Sequence, residues 1–305
     1  MKNKKVLITG VAGFIGSNLL DFLVEETNWN IVGIDNLSTG DFSNIEHHLK
    51  NPNFEFKQLK CSELKTIVEF DCIFHLAALP RIQPSYIDIK EHLNANVNES
   101  IHIVELMISE SHFPKFIYSS SSAIYGTPEQ IPTTEDAKIN CLSPYAFQKY
   151  EVEMYLELLS KRYNRLDYAC LRYFNPYGPR SYNSKNPLNA YSSVVGIFLN
   201  QAKNKLPLQI TGDGLQQRDF IHVRDIVRAN YYSALIEGQI NSSINLGMGE
   251  TLSVLDLAKK ISTNIKFIEK REGESDITLA DITKAKKVLN WKPEISLNEY
   301  IKSQI

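Results

Sequence analysis

The sequence lacks most marks of a secreted, metal-bound or nucleic-acid-binding chain. It has four cysteines, Cys61, Cys72, Cys141 and Cys170, far apart, with no C-x-x-C pair. That spacing argues against a disulfide framework and against a metal site, and it reads as four reduced thiols in a cytoplasmic protein. Net charge is −2, so no basic excess points to nucleic acid or an anionic membrane. No apolar run approaches the roughly 18 unbroken residues of a membrane span. Lys2, Lys4 and Lys5 before "VLITGVAGFIG" imitate an export leader, but three glycines and Thr9 interrupt it. A first strand, a glycine turn and a helix fit better.

What the sequence does have is a globular balance: 305 residues, 43% hydrophobic and 22% charged, enough for one large domain or two coupled ones. Short apolar, β-rich runs at 5–9, 30–35, 54–59, 71–77, 115–119 and 166–172 alternate with helical patterns at 14–26, 87–110 and 144–163. Several of the strands are apolar on both faces, as buried parallel strands are. The alternation predicts an α/β protein with a parallel sheet and right-handed crossovers. After Arg172 comes loop chemistry, "NPYGPRSYNSKNPLN". Helices near 189–203, 223–238, 253–263 and 281–289 follow, with short strands near 207–210, 243–246 and 265–269.

"LITGVAGFIGS" sets Gly10, Gly13 and Gly16 directly after the first strand. A strand end, glycines and a helix N-terminus make an anion site. Gly10 allows the tight turn, Gly13 lets backbone approach a pyrophosphate, and Gly16 lets the helix pack closely on the sheet. The second strand ends in Asp35, where an acid would hold a ribose 2′-OH and repel a 2′-phosphate. This favours NAD over NADP. "HLAAL" closes the fourth strand, and its Ala77 and Ala78 leave room for a cofactor against the backbone. His75 reads as a satisfied strand-end residue rather than a catalyst.

In "SPYAFQKYEVE", Tyr145 and Lys149 lie four apart and share a helical face. A phenol with a pKa near ~10 is a poor base. A nearby ammonium and a charged nicotinamide would favour the phenolate. "KFIYSSSSAIYG" carries four serines between an apolar strand and a Tyr-Gly turn, which is not the setting of a linker. The strand is expected to end at Ser119, with Ser120 at the cofactor edge.

Together, "TGVAGFIGS", "DNLSTG", "HLAAL", "SSSSAIYG", "YAFQK", "RYFNPYGPR" and "GDGLQQRDFIHVRDIVRA" resemble the extended short-chain dehydrogenase/reductase superfamily. The nucleotide-sugar 4-epimerases are its most similar branch. The resemblance runs over nearly the whole chain. It implies a Rossmann-type doubly wound parallel sheet with a smaller mixed α/β C-terminal substrate domain. The NAD domain would take 1–175 with about 221–248, and the nucleotide-sugar domain 176–220 and 249–305. Ser121, Tyr145 and Lys149 are then the catalytic group. NAD would lie against Gly10, Gly13, Phe14, Ile15 and Gly16, then Asp35 and Asn36, then Gln58 and Leu59. Leu76, Ala77, Ala78, Asn96 and Tyr173 would complete its site. Ser121, Asn175, Thr211, Arg218, Arg271, Glu274 and Thr278 would face a UDP-hexose. Arg218 suits phosphate, which guanidinium binds bidentately; its plainer reading is an ion pair with Asp219 or Asp225.

The implied reaction is 4-epimerisation through a 4-keto sugar, with UDP-Glc/UDP-Gal and UDP-GlcNAc/UDP-GalNAc as substrates. Thr278 is small where bulk would bar an N-acetyl group. A homodimer through helices near 87–110 and 144–163 is also implied. The family's 4,6-dehydratases need an Asp-Glu pair after the catalytic Thr, where this chain has Ser122 and Ala123. Its decarboxylases need a Glu there, and a non-catalytic NAD-binding regulator would typically lose Tyr or Lys. Departures from the pattern include Lys57, Gln58 and Leu59 in place of Gly-Asp-Ile, and Glu99 in place of a glycine.

Overall fold

The computed structural model describes residues 3–183, 191–270 and 275–305. Its first six strands are β1 (Lys5–Thr9), β2 (Asn30–Ile34), β3 (Phe54–Lys57), β4 (Cys72–His75), β5 (Lys115–Ser121) and β6 (Tyr168–Tyr173). Between and beside them run α1 (Phe14–Glu26), α2 (Ile82–Ile87), α3 (Ile89–Leu93), α4 (Glu99–Ser109) and α5 (Pro144–Arg162). The later part contains β7 (Pro176–Tyr177), α6 (Val194–Lys203), β8 (Leu208–Thr211), β9 (Gln217–Arg218), β10 (Ile221–His222) and α7 (Val223–Leu235). It ends with β11 (Ser242–Leu246), β12 (Leu252–Ser253), α8 (Val254–Ile261), β13 (Ile265–Ile268), α9 (Thr283–Leu289) and α10 (Leu297–Gln304).

Seven strands form one parallel sheet in the order β11-β6-β5-β4-β1-β2-β3. The chain winds outward from β1 to β3, then resumes on β1's other side with β4. β1 and β4 therefore flank the switch point, where ligands of open α/β sheets bind at the carboxyl ends. Register is direct: Ile8 faces Gly33 on one side and Phe74 on the other. Alternate residues feed two apolar layers. Ile8, Phe74 and Ile117 join one with Leu20, Tyr231 and Trp291. Leu7, Ile73 and Phe116 join the other with Val104, Val152 and Leu156. Both faces are covered, which is why all of β6 is buried. A third, smaller cluster gathers Phe198, Leu208, Ile210 and Leu257. It lies among the paired strands β8–β13 and β9–β12.

Two local findings depart from the sequence reading. The expected helix over 87–110 is broken. Asp88 has ψ 62 between α2 and α3, and Asn94–Asn98 form a π-turn before α4. Inside that turn, Asn96 bonds both Leu79 backbone groups and Gln148. Strand β5 also runs past Ser119, because Ser120 and Ser121 stay paired with Arg172 and Tyr173 of β6.

Candidate active site

The glycine turn is tight enough to exclude any side chain. Gly10 has φ +70, and a Cβ there would lie 2.8 Å from the Ala77 backbone. A Cβ on Gly16 would lie 2.1 Å from the Gly10 carbonyl oxygen. No side chain caps α1 at Gly13, so the first-turn N–H groups are left to the cleft that Gly13, Phe14, Ile15 and Gly16 line. At the end of β2, Asp35 accepts from the N–H of Ala12 at 3.0 Å and of Leu37 at 2.8 Å. Burial raises its pKa, and these two bonds oppose the rise. The cradle and carboxylate fit a dinucleotide: the backbone is bare where a pyrophosphate needs it, and acceptor lone pairs remain for a ribose.

Across the switch point, the Thr9 hydroxyl oxygen accepts from Leu76 and Ala77 N–H, each at 3.1 Å. The same hydroxyl lies 2.8 Å from His75 Nδ1, and His75 Nε2 lies 2.8 Å from the Ser100 hydroxyl. His75 is fully buried, and burial lowers its pKa to about 3. It is a neutral, satisfied residue, as the sequence suggested.

The dinucleotide cleft meets a second cleft at Ser121, Tyr145, Tyr173 and Tyr191. Helix α5 delivers Tyr145 and Lys149. Ser143 caps it through the N–H of Ala146, and Pro144 occupies its first turn. Lys149 Nζ donates to the Ser119 carbonyl at 2.8 Å and sits 4.9 Å over the Tyr118 ring. Burial pulls its pKa down to about 7, with Glu153 pushing the other way. Tyr145 is pushed up to about 12 by burial, with Ser121 pulling it back in part. The sequence expected the phenol to be lowered by its lysine together with a charged nicotinamide. Here desolvation outweighs everything else around it.

Behind the serines lies a closed ionic network. Glu153 accepts from the Ser120 hydroxyl and from Arg172 Nε and Nη2, the last at 2.6 Å. Arg172 also donates to the Tyr125 hydroxyl at 2.6 Å, and that hydroxyl donates to Asn245. The network fixes β5 against α5, β6 and β11 just below Ser121.

The second cleft is lined by Ser121, Ser122, Ala123, Asn175, Thr211, Arg218 and Thr278 among others. Among the described lining residues it holds no carboxylate. Asn175 donates to the Asp219 carbonyl and to the Thr278 hydroxyl, both at 2.9 Å. The Asp219 carboxylate accepts from the N–H of Met248, Gly249 and Ala280. Asp225 accepts from Glu294 and Ile295 N–H and pairs with Arg228.

Of the expected cofactor residues, Gln58 is exposed and absent from the cleft lining, because the chain turns it outward after β3. Asn96 is also absent from the lining: its amide clamps the Leu79 loop. The rest of that set lines the cleft. Arg271 and Glu274 lie outside the described residues. The sequence reading missed Glu99, Arg180 and Tyr191. Tyr191 stacks on Phe14 at 5.2 Å, and Arg180 ties its loop to Asp21 and to the Asn44 carbonyl. Arg180 stands in the "YGPR" segment already singled out, which was the available signal.

A family model described as the NAD dependent epimerase/dehydratase family matches residues 6–247. A putative UDP-glucose 4-epimerase of Methanocaldococcus jannaschii is 36% identical, over 97% of this chain and 96% of that protein. A UDP-N-acetylglucosamine 4-epimerase from Methanobrevibacter ruminantium M1, solved with UDP-N-acetylmuramic acid, superposes with TM-score 0.90 at 31% identity, covering 100% of this chain and 97% of that one. A UDP-glucuronic acid 4-epimerase from Bacillus cereus, solved with UDP-glucuronic acid and NAD, gives TM-score 0.87 at 30% identity, covering 98% of this chain and 97% of that one.

Proposed function

The chain belongs to the NAD-dependent epimerase/dehydratase family, and on that premise we propose that it is an NAD-dependent UDP-sugar 4-epimerase. We further propose that it accepts UDP-GlcNAc/UDP-GalNAc as well as UDP-Glc/UDP-Gal. One observation carries this reading. Ser121 and Tyr145 sit where a dinucleotide cleft opens into a second cleft that holds Arg218 and, among its described lining residues, no carboxylate. A dehydratase or decarboxylase acid has no counterpart at Ser122 or Ala123.

NAD, when bound, supplies the acceptor and donor of hydride at C4, and its charged ring favours the Tyr145 phenolate. The chain's own residues do the rest. Arg218 holds the sugar diphosphate, Asn175, whose amide donates to Asp219 and Thr278, keeps that wall of the cleft in place, and Thr211 borders the base. Ser121 donates to the C4 oxygen. Tyr145 takes the proton from the 4-OH and returns it after the 4-keto sugar has turned over in the cleft. Lys149, fixed on the Ser119 carbonyl, places positive charge beside the ribose and the phenolate. Thr278 leaves space for an N-acetyl group at C2.

We assign NAD binding to 1–175 with about 221–248, since α7 and β11 pack on the main sheet. The segments 176–220 and 249–305, which include the third apolar cluster, would hold the nucleotide sugar. We also propose a homodimer. Ile87 is 87% exposed and Leu158 is 57% exposed, and Ile89, Leu93, Phe147 and Tyr155 are exposed on the same helices α2, α3 and α5. Such apolar surface suits a helix-on-helix interface. Among the described residues no helix is long and apolar enough to cross a membrane. With four free thiols, we place the enzyme in the cytoplasm.

The test is a panel of UDP-, dTDP- and GDP-hexoses incubated with purified protein, with 4-epimers resolved by chromatography. The expected result is conversion of UDP-Glc and of UDP-GlcNAc. Brisk turnover of UDP-Glc with none of UDP-GlcNAc would remove the N-acetyl assignment. No 4-epimer of any sugar would remove the whole reading.

A further inference from the structure

The dinucleotide cleft has a direction set by the sheet order. Ser119–Ser121 end β5, on one side of the glycine turn, and the reacting groups stand there. On the other side come the ends of β2, with Asp35, and of β3. The part of the cleft beyond Asp35 is walled by Leu59, Lys60 and Cys61 after β3 and by one face of α4 and the π-turn before it, Ala95 and Glu99. A dinucleotide laid with its reacting ring at Tyr145 and a ribose at Asp35 therefore puts its other base in this far end.

Glu99 is out of place there unless it has a polar partner. It is only 9% exposed, yet it is a carboxylate in the cleft wall. The Ser62 N–H donates to its Oε2 and the Ser62 hydroxyl to its Oε1, each at 2.7 Å. These bonds fix its orientation and order the short turn Cys61–Glu63. Each carboxylate oxygen has two lone pairs, so one acceptor site on each remains after Ser62 is served. Its negative charge is felt in the wall: burial raises the Cys61 thiol, and Glu99 adds to the rise. A buried, oriented acceptor selects a donor and rejects an acceptor.

We propose that Glu99 is the base-recognition residue of the dinucleotide site. Its carboxylate accepts from the exocyclic amino group of adenine, so that the site selects an amino-purine over an oxo-purine dinucleotide. The inference rests on the NAD reading above and adds a specificity to it.

The test compares dissociation constants of NAD and of nicotinamide hypoxanthine dinucleotide, which carries an oxo group in place of the amino group. Full-length protein freed of bound nucleotide is titrated by calorimetry. Wild type should prefer NAD by about tenfold or more. Glu99→Ala should lose most of that preference. Glu99→Gln should narrow it, because its amide can donate to the oxo group as well as accept from the amino group. Ser62→Ala should weaken both ligands and keep the preference. Equal binding by wild type, or an unchanged preference in Glu99→Ala, would overturn the proposal. So would a loss in Ser62→Ala as large as in Glu99→Ala, since Glu99 would then act only through the turn. Wild type that binds neither dinucleotide would overturn the NAD reading itself.

Discussion

The two clefts that meet at Tyr145 are built by different means. The dinucleotide cleft is made of strand ends and bare backbone: the glycines of the first turn, Ala77 and Ala78, and a Thr9 hydroxyl holding the turn after β4. Its precision comes from parallel register, so most of it is present once the sheet is formed. The second cleft is made of loops tied to one another by buried polar side chains. Asp219 gathers Met248, Gly249 and Ala280, while Asn175 joins the Asp219 carbonyl to Thr278. A sheet tolerates side-chain change where backbone does the work. A loop tied through one carboxylate moves when that carboxylate goes.

The largest expected effect lies at the junction, where the difference between the clefts vanishes. Tyr145→Phe removes the hydroxyl proposed as the base and leaves both walls intact. Turnover should fall by about 10²–10⁴-fold, with bound nucleotide retained in the purified protein. Retained turnover would refute Tyr145 as the base.

Gly16→Val breaks the backbone-built side. Its Cβ would meet the Gly10 carbonyl at 2.1 Å. The protein should lose nucleotide and about 3–4 kcal/mol of stability in urea unfolding. Asp219→Ala breaks the tied side. Three N–H groups, that of Ala280 buried and those of Met248 and Gly249 part-buried, lose their acceptor, for about 2–3 kcal/mol. Its signature is a raised KM for the UDP-sugar with nucleotide content unchanged. If Asp219→Ala instead emptied the dinucleotide cleft, the two sides would not be separable as described.

The smallest effect sharpens the comparison through pH. Burial holds His75 at about 3 against an ordinary 6.5. The unfolded chain therefore binds the extra proton first as pH falls below 6.5, and stability is lost down to about 3. By pH 5 this amounts to about 2 kcal/mol. Asp219 has the opposite sign: burial raises it from 3.8 to about 6, so the folded chain takes up that proton first and stability is gained as pH falls through this window. Acid should weaken the sheet side and relax the loop side. Urea midpoints at pH 7 and 5 for wild type and His75→Gln would check this, since the Asp219 contribution cancels in the difference. An equal acid loss in both proteins would show His75 to be uninvolved.

The same contrast explains what could be read from the sequence. Gly10, Gly13, Gly16, Asp35 and Ala77 were legible because each follows a strand, and strand ends of a parallel sheet share one edge. Tyr145 and Lys149 were legible from helical spacing taken together with the glycine turn and the serine-bearing strand that precede them. Glu99, Arg180 and Tyr191 were not. Whether a helix face or a loop turns toward a cleft depends on packing with residues far away in sequence. Gln58 illustrates the converse: it is at a strand end, but the chain leaves β3 with that side chain outward. The broken helix after Leu79 was hidden for a related reason. The π-turn carries Asn96 onto the Leu79 loop, a contact between separate segments that periodicity does not encode.

That π-turn has a consequence for the aim of α4. A wide turn of i→i+5 bonding holds one residue more than a regular helix would. Deleting one of residues 94–98 would restore ordinary winding and rotate everything after it by about 100°. Glu99 would turn off the cleft, and a neighbour would replace the carboxylate in the wall. The width of that turn thus sets which residue of α4 stands in the far wall, and a one-residue deletion there should take the carboxylate out of the cleft with Glu99 itself unsubstituted.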